Sequence, residues 1–312
     1  MDLYFTVNRT APVRQSIFKL EFDKKKIISE YEIYPIDPNL DHDSNPRNTR
    51  CRVKKREKII ACYHTIYIFN HNLELEKTIS DNLLVHEIDI VDDIYISSTS
   101  IDAILIISLK TKRKDYINIR NDLEWQKILN IEPLEINENE DQRANFLDWF
   151  VKTPHHSHLN AVAVHENGDI YALLHRFMIV NISQKEIFTQ HKKLYAHNLE
   201  IHNSIWSSDS KYVISFHLET GEVNDYINLK SYHKIRSVIW THYPKYYFYK
   251  LLSKILRKKS DRPLYVRLRI IDTLYVGFSP ATFVTINLST KEIINMYQFS
   301  KNVSVCTHFD LV

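Results

Sequence analysis

The chain has 312 residues with 41 basic and 38 acidic side chains, a net charge of +3 that calls for no polyanionic partner, so nucleic acid is not expected. Hydrophobic residues make up 44% and charged residues 25%, which describes a globular rather than a disordered chain. Only three glycines occur, Gly168, Gly221 and Gly277, so neither a G-x-G-x-x-G turn nor a Walker A loop can form; a standard nucleotide-phosphate cradle is absent and no nucleotide cofactor is expected.

The first residues, Met-Asp-Leu-Tyr-Phe-Thr-Val, read as a strand rather than as a basic and apolar leader. No apolar run reaches the length of a membrane span. Cys51, Cys62 and Cys306 show no C-x-x-C spacing and suit free thiols. Together these features predict a cytoplasmic protein without a transmembrane segment.

Alternating apolar and polar residues then organise the chain into copies of one plan. Leu3–Ile33 supplies three strands, LYFTVN, SIFKLEF and IISEYEI, and a polar insertion follows over 35–50. Cys51–Ile79 is a short four-strand copy, and His86–Ile117 a full one: a short strand, a tight turn, an Ile-aromatic strand, an apolar strand, a charged turn and a last strand. A second insertion, 121–157, carries apolar residues at helical spacing, Leu123, Trp125 and Ile128, then Phe146, Trp149 and Phe150. His158–Gln190 and His197–Ile227 repeat the plan. A third insertion, 230–263, precedes the copy Val266–Gln298. The chain ends in VSVCTHFDLV, an orphan strand suited to be the missing innermost strand of the first copy.

Four-stranded units of about 40 residues repeating around an axis predict an all-β, six-bladed β-propeller in a single domain, 1–312, closed by the C-terminal strand. A β-sandwich of hairpins would explain neither the recurring order nor the complementary termini. All three insertions join the last strand of one blade to the first of the next, so they decorate one rim. In the third, Tyr243, Tyr246, Tyr247, Phe248 and Tyr249 precede Lys254, Arg257, Lys258 and Lys259. That stretch could stack on bases or sugars, dock on an anionic membrane surface or on a protein partner, or form a helix packed on the propeller with solvated lysines.

Histidines recur at one place in the plan. His86 and His197 each stand eight residues before the isoleucine that opens the second strand, Ile94 and Ile205, and His158 stands twelve before Ile170. His308 enters the orphan strand. Imidazoles converging from neighbouring blades form a candidate site for Zn²⁺, Mn²⁺, Fe²⁺ or Ni²⁺. Arg50, Arg52, Arg267 and Arg269 fall near the same position elsewhere and would hold an anionic small molecule or saccharide. Loops on the same face add His64, His175 and Asp209 as candidate general bases or supporting groups, with Ser98 and Thr99. Asn160 and Asn198 are supporting hydrogen-bond candidates, and Asp89, Asp92 and Asp93 read as turn formers. The resulting expectation is a metal-assisted lyase, hydrolase or isomerase, with a non-catalytic interaction scaffold as the alternative.

The repeats HEI…IYISST, HLNAVAVHENGDIYAL and HN…IW…D…ETGEV resemble a family of bacterial cytosolic β-propeller proteins, a resemblance that covers most of the chain and implies fold rather than activity. The histidine-ringed channel is similar in idea to streptogramin B lyase and oligogalacturonate lyase, which implies a divalent metal in the channel. Those have seven blades against six counted here, and no stretch of this chain matches them closely. The Gly-His and Trp-Asp signature of WD40 repeats is missing.

Overall fold

A computed structural model describes residues 2–8, 15–33, 52–55, 59–62, 65–80, 85–99, 102–133, 159–174, 178–191, 198–208, 212–235, 237, 266–270, 273–278, 282–298 and 306–311. Among them, 24 strands form six four-stranded antiparallel sheets.

Blade 1 contains β1 (Asp2–Asn8), β2 (Gln15–Glu21) and β3 (Lys26–Ile33). Blade 2 is β4 (Arg52–Lys55), β5 (Ile59–Cys62), β6 (Thr65–Phe69) and β7 (Leu75–Ser80). Blade 3 is β8 (Val85–Val91), β9 (Ile94–Thr99), β10 (Ala103–Ser108) and β11 (Lys114–Asn118). Blade 4 is β12 (Leu159–Val164), β13 (Ile170–Leu174), β14 (Met178–Asn181) and β15 (Glu186–Gln190). Blade 5 is β16 (Leu199–Ile201), β17 (Ile205–Ser208), β18 (Tyr212–Phe216) and β19 (Val223–Asn228). Blade 6 is β20 (Val266–Ile270), β21 (Leu274–Phe278), β22 (Thr282–Ile286) and β23 (Ile293–Gln298). The last strand, β24 (Cys306–Leu311), pairs with β1 and completes blade 1. Neighbouring innermost strands touch in the cyclic order β24, β4, β8, β12, β16, β20 and back to β24, so the sheets close into a propeller.

The cores lie at the seams between blades, which is why the middle strands are apolar on both faces. In β10, Ala103, Leu105 and Ile107 pack toward blade 2 with Ile66, Ile68 and Ile79. The alternate residue Ile104 packs toward blade 4 with Leu159, Val162 and Val180. Equivalent clusters join blades 1 and 2, 4 and 5, and 5 and 6. Phe5 links the last seam, 5.3 Å from Phe18 of its own blade and 4.9 Å from Phe283 of blade 6. Such aromatic pairs contribute about 0.5–1.5 kcal/mol beyond their buried area.

A chain so poor in glycine makes its tight turns in another way. Each turn between the third and fourth strands of a blade contains a left-handed residue: Lys25, Leu73, Lys112, Lys185, Gly221 and Lys291. A side chain there is disfavoured by roughly 1–2 kcal/mol, partly offset by the entropy that glycine would lose on folding. Lys25 has φ 53° and is exposed. Lys25→Gly should therefore stabilise the fold by about 0.5–1 kcal/mol, read as a higher urea midpoint at unchanged m-value.

Gly221 is the opposite case. It has φ 67°, a methyl group placed there would overlap the carbonyl oxygen of Phe188 in blade 4, and its own carbonyl accepts a 2.8 Å bond from Thr189 Oγ1. Because backbone cannot yield as a flexible side chain would, Gly221→Ala should cost roughly 3 kcal/mol. Thermal unfolding checks this: a midpoint within a degree of the parent would contradict the overlap.

The outer edges are blunted against pairing with other sheets. Five of the six outer strands break register near their start: β3, β7, β15, β19 and β23. In β11, β19 and β23 an Asp or Asn side chain, Asp115, Asp225 or Asn295, also accepts the N–H of the next residue.

Asp89 corrects the sequence reading. It lies within β8, only 4% exposed, and accepts the Val164 N–H of blade 4 at 2.9 Å. Asp102, which sequence reasoning passed over, accepts the Leu159 N–H at 3.1 Å from a left-handed backbone. The two carboxylates hold both ends of β12. Asp92 and Asp93 do form a turn, with φ 51° at Asp92.

Candidate functional site

Strand order places several predicted residues on the innermost ring. His86 lies in β8 at a register irregularity between Val85 and Glu87. His308 lies in β24 opposite Thr6. Arg52 opens β4 opposite Cys62, while Arg267 and Arg269 lie in β20 opposite Gly277 and Tyr275. Ser98 and Thr99 end β9. Arg50, His64, His158, His175, His197 and Asp209 lie outside the described residues, as do Phe146, Trp149, Phe150 and the stretch 243–259.

The equal spacing of His86 and His197 spans unlike turns. β8 and β9 are joined through Asp92 and Asp93, pairing Val91 with Ile94. β16 and β17 close a turn of three residues, pairing Ile201 with Ile205. Equivalence between blades is thus set by register, which residue spacing does not report.

Beside these positions, Asn160 and Asn198 are both buried, at 4% exposure. Asn160 lies in β12 at a register irregularity between Leu159 and Ala161. Asn198 is oriented by two serines of β17: Ser207 Oγ donates to its backbone carbonyl at 3.0 Å and Ser208 Oγ to its Oδ1 at 2.7 Å. Among the described residues, Asn160 Oδ1 and Asn198 Nδ2 have no hydrogen-bond partner. An acceptor and a donor left over on adjacent inner strands call for a water or a ligand group, since each costs about 1–3 kcal/mol when unsatisfied.

A second arrangement lies where the two helix-bearing insertions begin. After blade 3, Asn118 caps a 3-10 turn (Ile119–Asn121), its Oδ1 accepting the Arg120 N–H at 3.1 Å, and α1 (Leu123–Leu129) follows. After blade 5, Asn228 caps an equivalent turn (Leu229–Ser231), its Oδ1 accepting the Lys230 N–H at 3.0 Å, and 233–235 are helical. The sequences DYINIRND and DYINLKSY carry this equivalence, and the sequence reading stopped at DYI. From α1, Trp125, 1% exposed, enters the seam between blades 3 and 4. Ile235 enters the seam between blades 5 and 6. Leu123, expected on the apolar face, is 73% exposed. It is the first residue after the cap, and the buried stripe runs through Trp125 and Leu129 instead.

Both roots are latched to the next blade through its left-handed lysine. Asp122 caps α1 and accepts from Lys185 Nζ at 2.6 Å. Tyr232, at the equivalent position, donates to the Lys291 carbonyl at 2.7 Å, and Lys291 Nζ meets Asp225. Lys185 holds the Asp122 carboxyl below its usual value, helped by the Trp125 and Glu124 amides and opposed by partial burial. A lowered carboxylate value means stability that is present at neutral pH and lost as pH falls through the folded value. Asp122→Asn should therefore lower the melting temperature at pH 7 and converge with the parent in acid; an equal gap at both pH values would contradict the latch.

Within the described residues no group of three or more His, Cys, Asp or Glu side chains could hold a metal ion, and no helix is long and apolar enough to cross a membrane. Compared with known proteins, the chain matches no protein-family model and no curated protein. Among solved structures it is similar to the WD40 domain of Neurospora crassa Pan2, with a TM-score of 0.52 and 10% identity over 99% of this chain and 79% of that one. At that identity the likeness is one of fold: the chain is an all-β propeller.

Proposed function

We propose that this protein is a non-catalytic interaction scaffold that docks a protein partner through the Tyr-rich insertion at 243–259. The observation that carries this reading is the repeated root: capped, plugged into a seam and latched to the next blade, it gives each of the two helix-bearing insertions a rigid point of departure. Loops on a rigid frame are where binding surfaces are expected. Propellers host enzymes and scaffolds alike; WD40 domains typically act as platforms for proteins, which adds an analogy of fold. The test is crosslinking and mass spectrometry with the full chain and with a variant lacking 243–259. A partner lost on deletion, at a melting temperature within a few degrees of the parent, supports the scaffold. An unchanged partner set overturns it.

The unpartnered Asn160 and Asn198 atoms favour a second reading, a channel-mouth site in which His86, His158, His197 and His308 hold a divalent metal and the arginines an anionic substrate. Elemental analysis of untagged protein tests it. About one transition metal per chain, lost in His86→Ala with the fold retained, supports an enzyme. Protein that cannot take up metal on incubation removes that reading.

A further inference from the structure

We propose that the turn between β10 and β11 is a second docking site, one that takes an acidic segment of a partner protein. In five blades an aliphatic residue at or beside the register break of the outer strand is exposed: Ile28, Leu75, Ile187, Val223 and Ile294. Blade 3 departs from this. β11 begins with Lys114 and keeps an unbroken register from Ala103↔Asn118 to Ile107↔Lys114. Lys110, Lys112, Arg113 and Lys114 are all exposed within this one turn.

The cations stand on an ordered frame. Asp93 Oδ2 accepts from Ser108 Oγ at 2.8 Å and from the Lys110 N–H at 3.1 Å, and the Asp93 carbonyl accepts the Leu109 N–H at 2.8 Å. Ser108 N–H donates to the Arg113 carbonyl at 3.0 Å and Lys112 N–H to the Ser108 carbonyl at 2.8 Å, with Lys112 at φ 61°. Lys77 of blade 2 adds a further cation, its Nζ on the Leu109 carbonyl at 2.7 Å. A fixed backbone lowers the ordering cost of binding. Charge clustered on it favours anions and steers their approach.

The surroundings favour a protein over other polyanions. Asp92, Asp93 and Asp115 flank the turn, and Asp115 accepts the Tyr116 N–H, which discourages a dense run of phosphates and strand addition beyond Lys114. Tyr116 packs against the seam of blades 2 and 3 rather than offering a face for base stacking. Lys114 replaces the exposed aliphatic that a lipid surface would use.

The test is fluorescence anisotropy with fluorescein-labelled octaglutamate at low salt. Binding should weaken at least about tenfold in K110E/R113E/K114E, which keeps Lys112 and its backbone, and should fade at about 0.5 M salt. K110Q/R113Q/K114Q should show an intermediate loss and serves if the charge reversal disturbs folding. K24E/K25E/K26E, which reverses another exposed basic turn, should bind as the parent does, and so should the variant lacking 243–259, which separates this site from the Tyr-rich insertion. No binding to the parent, equal loss in K24E/K25E/K26E, or tighter binding of a labelled uridine octanucleotide would each overturn the proposal.

Discussion

A chain lacking 306–312 is expected to lose its cooperative unfolding transition. β24 is the strand through which the two ends of the chain meet: it pairs with β1 over Leu3↔Leu311 to Val7↔Cys306 and touches β4 and β20 on either side. Removing it strips the inner edge of blade 1 of its ladder and opens the ring beside Phe5, which otherwise packs on Phe283. The loss is comparable with the whole stability of a typical domain, about 5–15 kcal/mol. Calorimetry should show a broad or absent transition, and a synthetic peptide of residues 303–312 added in excess should restore it. A truncated chain that melts cooperatively near the parent temperature would mean that the ring closes without this strand.

Among the described residues of the insertions, Trp125→Ala is expected to have the largest effect of any single substitution, about 3–5 kcal/mol, or roughly 10 °C in melting temperature. The indole is 1% exposed and fills the seam among Ile96, Ile104, Leu159, Val162, Leu174 and Val180, so its removal leaves a cavity walled by two rigid sheets that cannot collapse. Leu123→Ala, two residues away on the exposed side, should change stability by no more than about 0.5 kcal/mol. If both substitutions cost the same, α1 does not pack in the seam. Amide exchange adds a second readout, because loosening the root should speed exchange at Trp125 and Gln126, whose N–H groups bond to Asp122.

The propeller was legible in the sequence for a physical reason. Strands buried on both faces and joined by short turns impose an alternation and a repeat length that survive wide divergence, and every predicted copy coincides with an observed sheet. The helix at Leu123–Leu129 was legible as well, since Trp125 and Leu129 share one face. Its exact stripe was misread because Leu123, one residue past the cap, looks apolar in sequence but precedes the turn that packs. The buried role of Asp89 was also hidden, since an aspartate that holds a neighbouring blade and one that forms a turn differ only in what lies opposite.

What the sequence determined by itself was therefore the repeat: strand order, ring closure by the terminal strand, and the placement of the insertions between blades. The lysine turns could have been noticed, because a six-bladed chain with three glycines must put side chains into left-handed backbone. The tertiary structure alone decided which residues face each other across seams. Asp89 and Asp102 on the ends of β12, Asp122 on Lys185, and Tyr232 on Lys291 all join groups distant in sequence. Register irregularities at His86 and Asn160 likewise arise only on pairing. Since a shift of one residue moves a side chain to the other face of its strand, residue spacing carries the fold while pairing decides the site.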